Sequence, residues 1–288
     1  MAELTRRRFL GGIAAAGTLA LAPGRLWAAD GPAKKRKGSD VVKLGRIGVE
    51  TSLLGLGTGT VSGSQQRAMG YDGFTRLVRH ALDRGIRYVD TADSYRMHPY
   101  VQKALEGVPR ERYFIQTKSF ARQPDAIRLD LERFLRELKV EYVDTMLMHC
   151  MTEGDWPQKL DALMKVLSEA KRQGKVRAVG VSCHGWAPLA ASADVDWIDV
   201  QLVRINPFNK AMDAEHEKVA GFLKQVHDKG RGILGMKIFG EDGLENRQQR
   251  LESLKYVLGL GSVDAFTIGF RSIAQFDETM DLIEEATA

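Results

Sequence analysis

Three segments of this 288-residue chain share one pattern, in which a helix with an apolar face ends at a glycine and a short apolar strand follows. The segments read RG-IRYVD, QG-KVRAVGVS and KG-RGILGMK, and their helix-ending residues are Gly85, Gly174 and Gly230. Helices that alternate with apolar strands in this way produce parallel strands joined by right-handed crossovers. The repeated unit therefore predicts a fold of the α/β class.

Other apolar runs complete a set of eight core strands. We predict these strands at residues 53–57, 86–90, 113–117, 143–148, 176–182, 197–201, 232–236 and 265–268. Eight strand–helix units within about 240 residues favour a closed (β/α)8 TIM barrel over an open doubly wound sheet. No G-x-G-x-x-G signature opens a helix after the first strand, as it does in dinucleotide-binding open sheets. We expect a single-domain barrel over residues 41–288 that begins with an N-terminal β-hairpin, VVKLG and GVETS.

The chain begins with the features of an export signal. The sequence TRRRFL at residues 5–10 leads into an apolar run over residues 10–22, and small residues follow near Ala28. This order is typical of a secretory signal, and the paired arginines before Phe-Leu resemble the twin-arginine motif. A basic amphipathic tail is the alternative. We expect residues 1–28 to be a twin-arginine-type signal peptide, read by the export machinery that delivers folded proteins to the bacterial periplasm.

The segment after the signal and the overall charge narrow the range of partners. Residues 29–40 contain the run KKRK and are predicted to form a basic flexible linker. The apolar run of the signal is shorter than the roughly twenty residues of a membrane-spanning helix, so we expect no stable membrane insertion after processing. The net charge is +5, but residues 1–28 carry four arginines and one glutamate, which leaves +2 for the remainder. We therefore expect no nucleic-acid partner.

Polar side chains occur where three consecutive predicted strands end. Asp90, Lys118 and His149 follow the second, third and fourth strands, and Tyr95 lies in the loop after the second. In barrels of this type the functional residues lie at the carboxyl ends of the strands. Each residue alone is compatible with a structural role, such as a helix cap, a surface lysine or a satisfied core histidine. Together they predict one catalytic site, because buried charges are costly without partners.

These four side chains suit proton transfer coupled to the reduction of a carbonyl. A free phenol titrates near 10, and a neighbouring ammonium lowers that pKa by favouring the phenolate. We therefore expect Tyr95 to donate the proton and Lys118 to tune it. Asp90 would keep Lys118 charged and in place, and His149 would hydrogen-bond the substrate oxygen.

The motifs GIRYVDTADSY, QTK and LMH, which carry these four residues, resemble the catalytic tetrad of the aldo-keto reductases. The resemblance extends over nearly the whole chain after the leader. It implies a (β/α)8 barrel that binds a nicotinamide dinucleotide without a Rossmann domain. It also implies hydride transfer to an aldehyde, ketone or sugar carbonyl, or back from an alcohol, with NADP(H) favoured over NAD(H).

The resemblance further implies a set of cofactor-binding positions. These are Gly57, Thr58, Ser182, Cys183, Gln201, Met236, Arg271, Gln275 and Glu278. Some of them differ from the family pattern. Cys183 stands in place of the usual asparagine, Met236 in place of a tyrosine that stacks on the nicotinamide, and Thr279 in place of a final asparagine. The basic cluster that contacts the 2′-phosphate in the family is reduced to Arg271.

Two other functions remain compatible with the sequence. One is an exported barrel that retains its cofactor and acts as a dehydrogenase or isomerase, and the other is a ligand-binding barrel without turnover. The cysteines also leave two alternatives, because Cys150 and Cys183 end neighbouring predicted strands and could form a disulfide or remain buried thiols. A metal site is not expected, because the six histidines lack H-x-x-x-H or H-E-x-x-H spacing.

Overall fold

The computed structural model describes residues 35–241, 243–244 and 246–288. The predicted signal peptide and the first part of the predicted linker lie outside the described residues. The strands are β1 Val41–Leu44, β2 Val49–Ser52, β3 Leu54–Gly57, β4 Tyr88–Asp90, β5 Phe114–Ser119, β6 Val143–Met151, β7 Val176–Cys183, β8 Val200–Arg204, β9 Gly232–Met236 and β10 Ala265–Gly269. The α-helices are α1 Ser64–Arg67, α2 Gly70–Asp83, α3 His98–Leu105, α4 Pro124–Leu138, α5 Trp156–Lys159, α6 Asp161–Arg172, α7 Trp186–Ala191, α8 His216–Asp228, α9 Arg247–Gly259 and α10 Ile273–Ala286.

Strands β3 to β10 form a closed barrel in which each strand pairs with the next and β10 returns to β3. The pairings are parallel, so the carboxyl ends of all eight strands meet at one mouth. This confirms the predicted (β/α)8 TIM barrel. One strand is displaced from its predicted place, since β8 begins at Val200 rather than at Trp197. The indole of Trp197 instead donates a hydrogen bond to the Ser168 hydroxyl of α6 at 2.9 Å, so this residue belongs to the preceding loop.

The three glycines that end helices in the sequence pattern have the backbone conformation that the pattern requires. Gly85, Gly174 and Gly230 have φ values of +86°, +74° and +87°, which lie in the left-handed region. A side chain would be strained there, and glycine is not. Each glycine thus turns the chain from the end of a helix into the next barrel strand.

The lower part of the barrel interior is filled by apolar side chains from alternating strand positions. This interior cluster contains Tyr88, Phe114, Leu147, Ala178, Val200, Leu202, Leu234 and Ala265. Leu44 and Val49 of the predicted hairpin, β1 and β2, join the same cluster and close the end of the barrel opposite the mouth. The hairpin is fixed there by a hydrogen bond from the Arg46 backbone N–H to the Gly230 carbonyl at 2.7 Å.

The helices pack their apolar faces against the outside of the barrel. In α4 the buried residues are Ile127, Leu131, Phe134, Leu135 and Leu138, which is the stripe that the sequence predicts. Burial of each such side chain contributes about 1.5–3 kcal/mol. Among the helices of the described residues, none is long and apolar enough to cross a membrane.

The described end of the predicted linker packs on the barrel and is not a free segment. The Leu54 backbone N–H donates to the Gly38 carbonyl at 2.9 Å. The Arg36 backbone N–H donates to the Thr287 hydroxyl at 2.8 Å, and Lys35 forms an ion pair with Glu284 at 3.1 Å. A side chain at Gly38 would clash with Met280 of α10, so its glycine allows the close approach. This docking depends on long-range contacts, which the basic composition of the segment did not reveal.

A β-bulge separates the two cysteines. The register of β6 against β7 shifts between Met148 and Met151, so that Cys183 pairs with Met151. Cys150 lies in the bulge with a φ of +59°, and both cysteines are free thiols. The disulfide that equal register would have allowed is therefore not formed.

Candidate active site

Asp90 and Lys118 form an ion pair at the mouth of the barrel. The Lys118 ammonium donates to Asp90 Oδ1 at 2.6 Å and to the Thr91 carbonyl at 2.8 Å. Asp90 ends β4 and pairs in register with Gln116 of β5, so Lys118 lies two positions further toward the mouth. The lysine is fully buried. Burial lowers the pKa of Lys118, and the adjacent Asp90 carboxylate counteracts this shift.

The Asp90 carboxylate is held by a polar layer beneath it. The Gln116 amide donates to Asp90 Oδ1 at 2.7 Å and to the Tyr88 hydroxyl at 2.9 Å. The Thr145 hydroxyl donates to Gln116 Oε1 at 3.1 Å. These side chains come from three adjacent strands and are all buried. They fix the carboxylate, and with it Lys118, in one orientation.

Tyr95 lies against this ion pair and beside His149. It ends a short 3-10 turn, Asp93–Tyr95, in the loop after β4. The Lys118 Nζ atom lies 4.9 Å from the centre of the Tyr95 ring, and the His149 ring meets it edge-on at 5.7 Å between centroids. Gly59 passes so close to the phenol that a Cβ atom there would lie 2.6 Å from the ring. The four residues singled out at the strand ends are thus brought together.

The phenol of Tyr95 is protonated at neutral pH. Burial raises its pKa most, and the nearby Asp90 carboxylate raises it further. The shift is opposite to the one expected from Lys118 alone, because the desolvation of a phenolate outweighs the attraction of an ammonium that is already paired with a carboxylate. Tyr95 therefore carries its phenolic proton at neutral pH.

His149 is a buried, neutral imidazole. Burial lowers its pKa to about 2, and the positive charges of Lys118 and Arg122 and the nearby His184 add to this effect. Its Nδ1 atom is buried and has no hydrogen-bond partner in the described part of the chain. The ring of Phe120 stacks on it at 4.4 Å between centroids. A neutral imidazole can donate a hydrogen bond to a substrate oxygen, but it carries no extra proton to transfer.

A polar network behind the site connects the loop of Tyr95 with the strand of Lys118. Arg133 of α4 binds Asp93 at 2.8 Å and Glu137 at 3.0 Å. Glu137 in turn contacts His98 Nδ1 at 2.8 Å, and His98 Nε2 lies 2.9 Å from the Thr117 hydroxyl. This network could not be predicted from the sequence, because its members are widely separated and come together only through the packing of α3 and α4.

A cleft opens beside the four residues, between the loops that follow β3, β9 and β10. It is lined by Gly57, Gly59, Thr60, Asp90, Tyr95, Met236, Lys237, Ile238, Phe239, Glu241, Thr267, Ile268 and Gly269. Three of these residues are glycines, and a Cβ atom on Gly57, Gly59 or Gly269 would press against Thr267, Tyr95 or Thr60 respectively.

The polar groups around this cleft suit a polar ligand. The hydroxyl oxygens of Thr58 and Thr267 are buried and have no hydrogen-bond partner in the residues that the structure describes. A Cβ atom on Gly269 would lie 2.0 Å from the Thr60 hydroxyl, so only glycine fits beside that loop. Lys237 lies at the cleft wall and is paired there with Glu241. The unpartnered hydroxyls are available to hydrogen-bond a polar ligand.

Two of the predicted cofactor residues, Gly57 and Met236, line this cleft. Thr58 lies directly beneath it, where its backbone N–H donates to the Asp90 carbonyl at 3.0 Å. Ser182 is buried at the end of β7, and its hydroxyl accepts a hydrogen bond from the Cys150 backbone at 3.0 Å. Its oxygen thus stabilises the β-bulge.

Gln201 does not reach the cleft. Its Oε1 atom accepts a hydrogen bond from Arg231 at 2.7 Å, and its Nε2 atom donates to the Ser192 hydroxyl at 2.8 Å. Val200 and Leu202 on either side of it belong to the interior cluster, so Gln201 faces the surrounding helices. Cys183 also lies outside the barrel interior, among the residues that pack under the helices. Neither side chain faces the interior of the barrel.

Arg271, Gln275 and Glu278 lie around the start of α10. Gln275 Oε1 accepts from the Arg271 backbone N–H at 2.9 Å, and Glu278 forms an ion pair with Arg250 of α9 at 2.9 Å. Arg250 thus adds a second basic residue to this segment. It was not predicted from the sequence, because α9 lies before β10 and outside the matched motif.

The rule that located the catalytic candidates also identifies two residues that we did not predict. Lys237 directly follows β9 and forms an ion pair with Glu241 at 2.5 Å, and Arg204 ends β8. Both are basic residues at the carboxyl end of a strand, like Lys118. In the sequence, each of these basic residues directly follows an apolar run, in GMK and in LVR. Neither belongs to the motifs that resemble the catalytic tetrad.

One group of possible metal ligands occurs within the described residues, away from the residues that line the cleft. Ligand atoms of Glu215, His216 and Glu217 lie within 4.8 Å of one another at the start of α8. Three adjacent residues at a helix start are a common surface arrangement, and they suggest no role in the site.

Comparison with known proteins agrees with the architecture. The sequence profile of the aldo/keto reductase family matches residues 53–284. Among characterised relatives, the methylglyoxal reductase DkgB of Salmonella typhi is 33% identical over 139 residues, which cover 46% of this chain and 51% of that protein. A glycerol 2-dehydrogenase (NADP(+)) of Saccharomyces cerevisiae is 36% identical over 113 residues, covering 37% and 34%. The chain spans about half the length of the first curated relatives it matches.

Solved structures show the same fold. A putative aldo-keto reductase from Pseudomonas aeruginosa superposes with a TM-score of 0.71 at 22% identity, covering 88% of this chain and 97% of that one. The holo form of an aldo-keto reductase from Bacillus halodurans has a TM-score of 0.71 at 19% identity, covering 85% and 91%. At these identities the likeness concerns the fold alone.

Proposed function

The chain belongs to the aldo/keto reductase family, and from that premise we propose that it is a nicotinamide-dependent oxidoreductase that reduces aldehyde or ketone carbonyls, sugar carbonyls among them. One observation carries the proposal. Asp90, Lys118, Tyr95 and His149 meet at the rim of a glycine-lined cleft, with the 2.6 Å ion pair and the phenol in contact. Carbonyl reduction needs a proton donor beside a hydride donor. Tyr95 would be the proton donor, and the cleft beside it would hold the hydride donor.

The proposed cofactor is NADP(H) in preference to NAD(H). When bound, it supplies the hydride that reduces the carbonyl carbon. The residues that would hold it are Gly57, Thr58 and Thr267 beside the mouth, together with Lys237. Arg271, near the start of α10, would bind the 2′-phosphate, and Arg250 of α9 is paired with Glu278 of the same helix at 2.9 Å.

Tyr95 would donate its phenolic proton to the carbonyl oxygen as hydride adds to the carbonyl carbon, so that the product is an alcohol. His149 cannot take this role, because its depressed pKa leaves it neutral. Its contribution is a hydrogen bond that orients the substrate oxygen toward the phenol. The proton donor and the orienting group are thereby distinguished by their environments.

Lys118 would stabilise the phenolate that remains after proton transfer. Its ammonium lies against the Tyr95 ring and is fixed by Asp90 and the Thr91 carbonyl. A preorganised charge of this kind acts without reorganisation during the reaction. Asp90 is then a positioning residue, which keeps the buried lysine protonated.

The proposed location is the bacterial periplasm. The leader with its paired arginines supports export of the folded protein through the twin-arginine machinery. Because this route carries proteins that are already folded, a tightly held cofactor would be exported with the barrel. Signal cleavage is tested by N-terminal sequencing of the exported protein. The periplasmic location is tested by following export after both Arg6 and Arg7 are replaced with lysine.

The function is tested by fluorescence titration of the purified protein with NADPH and NADH, and by aldehyde reduction in the wild type and in Tyr95→Phe. We expect both proteins to bind the nucleotide, with NADPH bound more tightly, and turnover to be lost only in the variant. If protein shown to be free of nucleotide binds neither form, the oxidoreductase proposal is wrong. Equal turnover in Tyr95→Phe would reject Tyr95 as the proton donor.

A further inference from the structure

Arg204 is a basic side chain at the mouth that the proposed reaction does not use. It ends β8, and it follows Val200 and Leu202, which both point into the barrel. Because side chains alternate along a strand, Arg204 lies on the same inner face, one step further toward the mouth. Its side chain is 15% exposed.

The guanidinium of Arg204 has few partners for so enclosed a group. Its Nη1 atom donates to the Ala211 carbonyl at 3.4 Å and its Nη2 atom lies 3.3 Å from Asp213 Oδ1. Both contacts are long for charge-assisted hydrogen bonds. The Nε atom is buried and has no partner in the described residues. A guanidinium has five N–H donors and stays charged in proteins, so Arg204 retains donor capacity for an anion.

Asp213 fixes the position of Arg204 but does not accept hydrogen bonds from all of its N–H groups. The Asp213 side chain is fully buried, and its Oδ1 atom already accepts the Gly185 backbone N–H at 2.7 Å. Its Oδ2 atom is buried without a partner in the same part of the chain. The Nε–H group of Arg204 is thus an unused donor within a buried ion pair, which is costly unless a ligand accepts its hydrogen bond.

Several other side chains of the mouth lie near this position. His184 follows β7, and its ring lies 6.5 Å from the His149 ring. Burial lowers the pKa of His184 to about 4, and the charges of Arg204 and Lys237 lower it further, so this imidazole is neutral at neutral pH and can donate a hydrogen bond. Arg122 donates to the His149 carbonyl at 2.8 Å. The nearby acid Glu241 is paired with Lys237 at 2.5 Å.

From this arrangement we infer that the substrate is an anion, a carbonyl compound with a carboxylate separated from the carbonyl by a short aliphatic spacer. Its carboxylate binds Arg204, with His184 alongside, while its carbonyl oxygen faces Tyr95 and His149. The inference rests on the proposed function, because it assigns the substrate class of that same site. A guanidinium with free N–H groups is suited to bidentate recognition of a carboxylate.

The test compares two substrates that differ in charge, 5-oxopentanoate and its methyl ester, in the wild type and in Arg204→Met/Asp213→Asn. The double substitution removes both charges together, so that no unpaired carboxylate is left buried. We expect the ratio of kcat/KM for the acid over the ester to fall by about ten- to a hundredfold, the usual worth of a hydrogen bond to a charged group. Arg177→Met is the matched control, because Asp144 keeps its 2.6 Å contact with Arg110 at the other end of the barrel. The ratio should not change in this control.

A ratio that is unchanged in the double variant, or an equal fall for acid and ester, would overturn the inference. A weaker affinity for NADPH with an unchanged ratio would also overturn it, since Arg204 would then serve the cofactor. Binding of glutarate, measured by titration calorimetry, separates this inference from the function. If the wild type reduces neither substrate, the proposed function fails, whereas glutarate binding that disappears only in the double variant still supports an anion site at Arg204. Glutarate binding that is absent, or equal in both proteins, rejects it.

Discussion

The Lys118 ammonium lies 2.6 Å from the Asp90 carboxylate, and the two side chains are 0% and 6% exposed. A pair this deeply buried is costly to desolvate, and replacing it with apolar residues would often stabilise a protein. Its presence beside the phenol of Tyr95 is therefore better explained by chemistry than by stability.

Replacing Lys118 with methionine should abolish aldehyde reduction and destabilise the fold. The substitution leaves Asp90 as an unpaired buried charge, and we expect the free energy of unfolding in urea to fall by about 3–5 kcal/mol. Asp90→Asn/Lys118→Met is the matched variant, because it removes both charges. It should recover most of the stability and none of the activity. Recovery of activity in this double variant would show that the pair is only structural.

Acidification should destabilise the protein partly through His149. Its pKa is depressed to about 2 in the folded state, so the unfolded chain binds a proton near pH 6.5 that the folded chain does not. The contribution of His149 to stability is present above pH 6.5 and is lost as the pH falls below it. Between pH 7.5 and 5 the loss is about 2 kcal/mol. We expect urea denaturation of His149→Gln to show a pH dependence that is smaller by this amount. An identical pH dependence of the unfolding free energy in both proteins would mean that His149 takes up a proton in the folded state as readily as in the unfolded state.

Gly59→Ala should displace the phenol. A Cβ atom at this position would lie 2.6 Å from the ring of Tyr95, so the ring must shift from its place beside Lys118 and His149. We expect kcat for aldehyde reduction to fall at least tenfold, since misplaced catalytic groups lose rate steeply. Gly221→Ala in α8 is the control, because nothing lies within 4 Å of its added methyl group. It should retain activity and gain about 1 kcal/mol of stability. Equal kinetics in both variants would argue against a rigid phenol.

Gln201→Leu should affect stability and leave cofactor affinity unchanged. The substitution deprives the Arg231 guanidinium of its acceptor at 2.7 Å, in a side chain that is largely buried. We expect the free energy of unfolding to fall by about 1–3 kcal/mol. Met236→Ala is the comparison, because Met236 lines the cleft and its removal should raise the Kd for NADPH. A large rise in Kd for Gln201→Leu with no loss of stability would place Gln201 at the cofactor after all.

The two cysteines should behave as free thiols of different accessibility. Unfolded, unreduced protein should give two thiols with a disulfide-exchange reagent, and one thiol would be expected to react before unfolding. That thiol is Cys150, which is partly exposed, whereas Cys183 is buried. Its reaction should be slow, because burial raises the pKa of Cys150. The variants Cys150→Ser and Cys183→Ser identify which thiol reacts. A thiol count of zero would show that the bulge rearranges to allow a disulfide.

The barrel could be predicted from the sequence because its determinants are local. Helix stripes, the left-handed glycines and the short apolar runs each act within a few residues, and together they count eight units. The boundaries of β8 could not be predicted in the same way. Trp197 reads as a strand residue, but its indole is bound by α6, which is a tertiary contact.

The catalytic candidates could be located because a charged residue at the end of an apolar run is conspicuous. The rest of the site depends on strand register and packing. Side chains alternate between the two faces of a sheet, so a shift of one residue moves a side chain to the other face. The bulge at Cys150 and the outward orientation of Gln201 depend on this register, which a short motif does not determine. The link from Asp93 through Arg133 and Glu137 to His98 needs the packing of two helices before it exists.

The contact between the Arg36 backbone and Thr287 has a consequence for how the connectivity of the chain can be changed. These residues are 251 positions apart, yet they are joined by one hydrogen bond at 2.8 Å. A short peptide could therefore connect residue 288 to residue 35, and new termini could be cut at the exposed Gly261 between α9 and β10. In such a circular permutant the ring of eight units would keep every neighbour, although none would remain first or last.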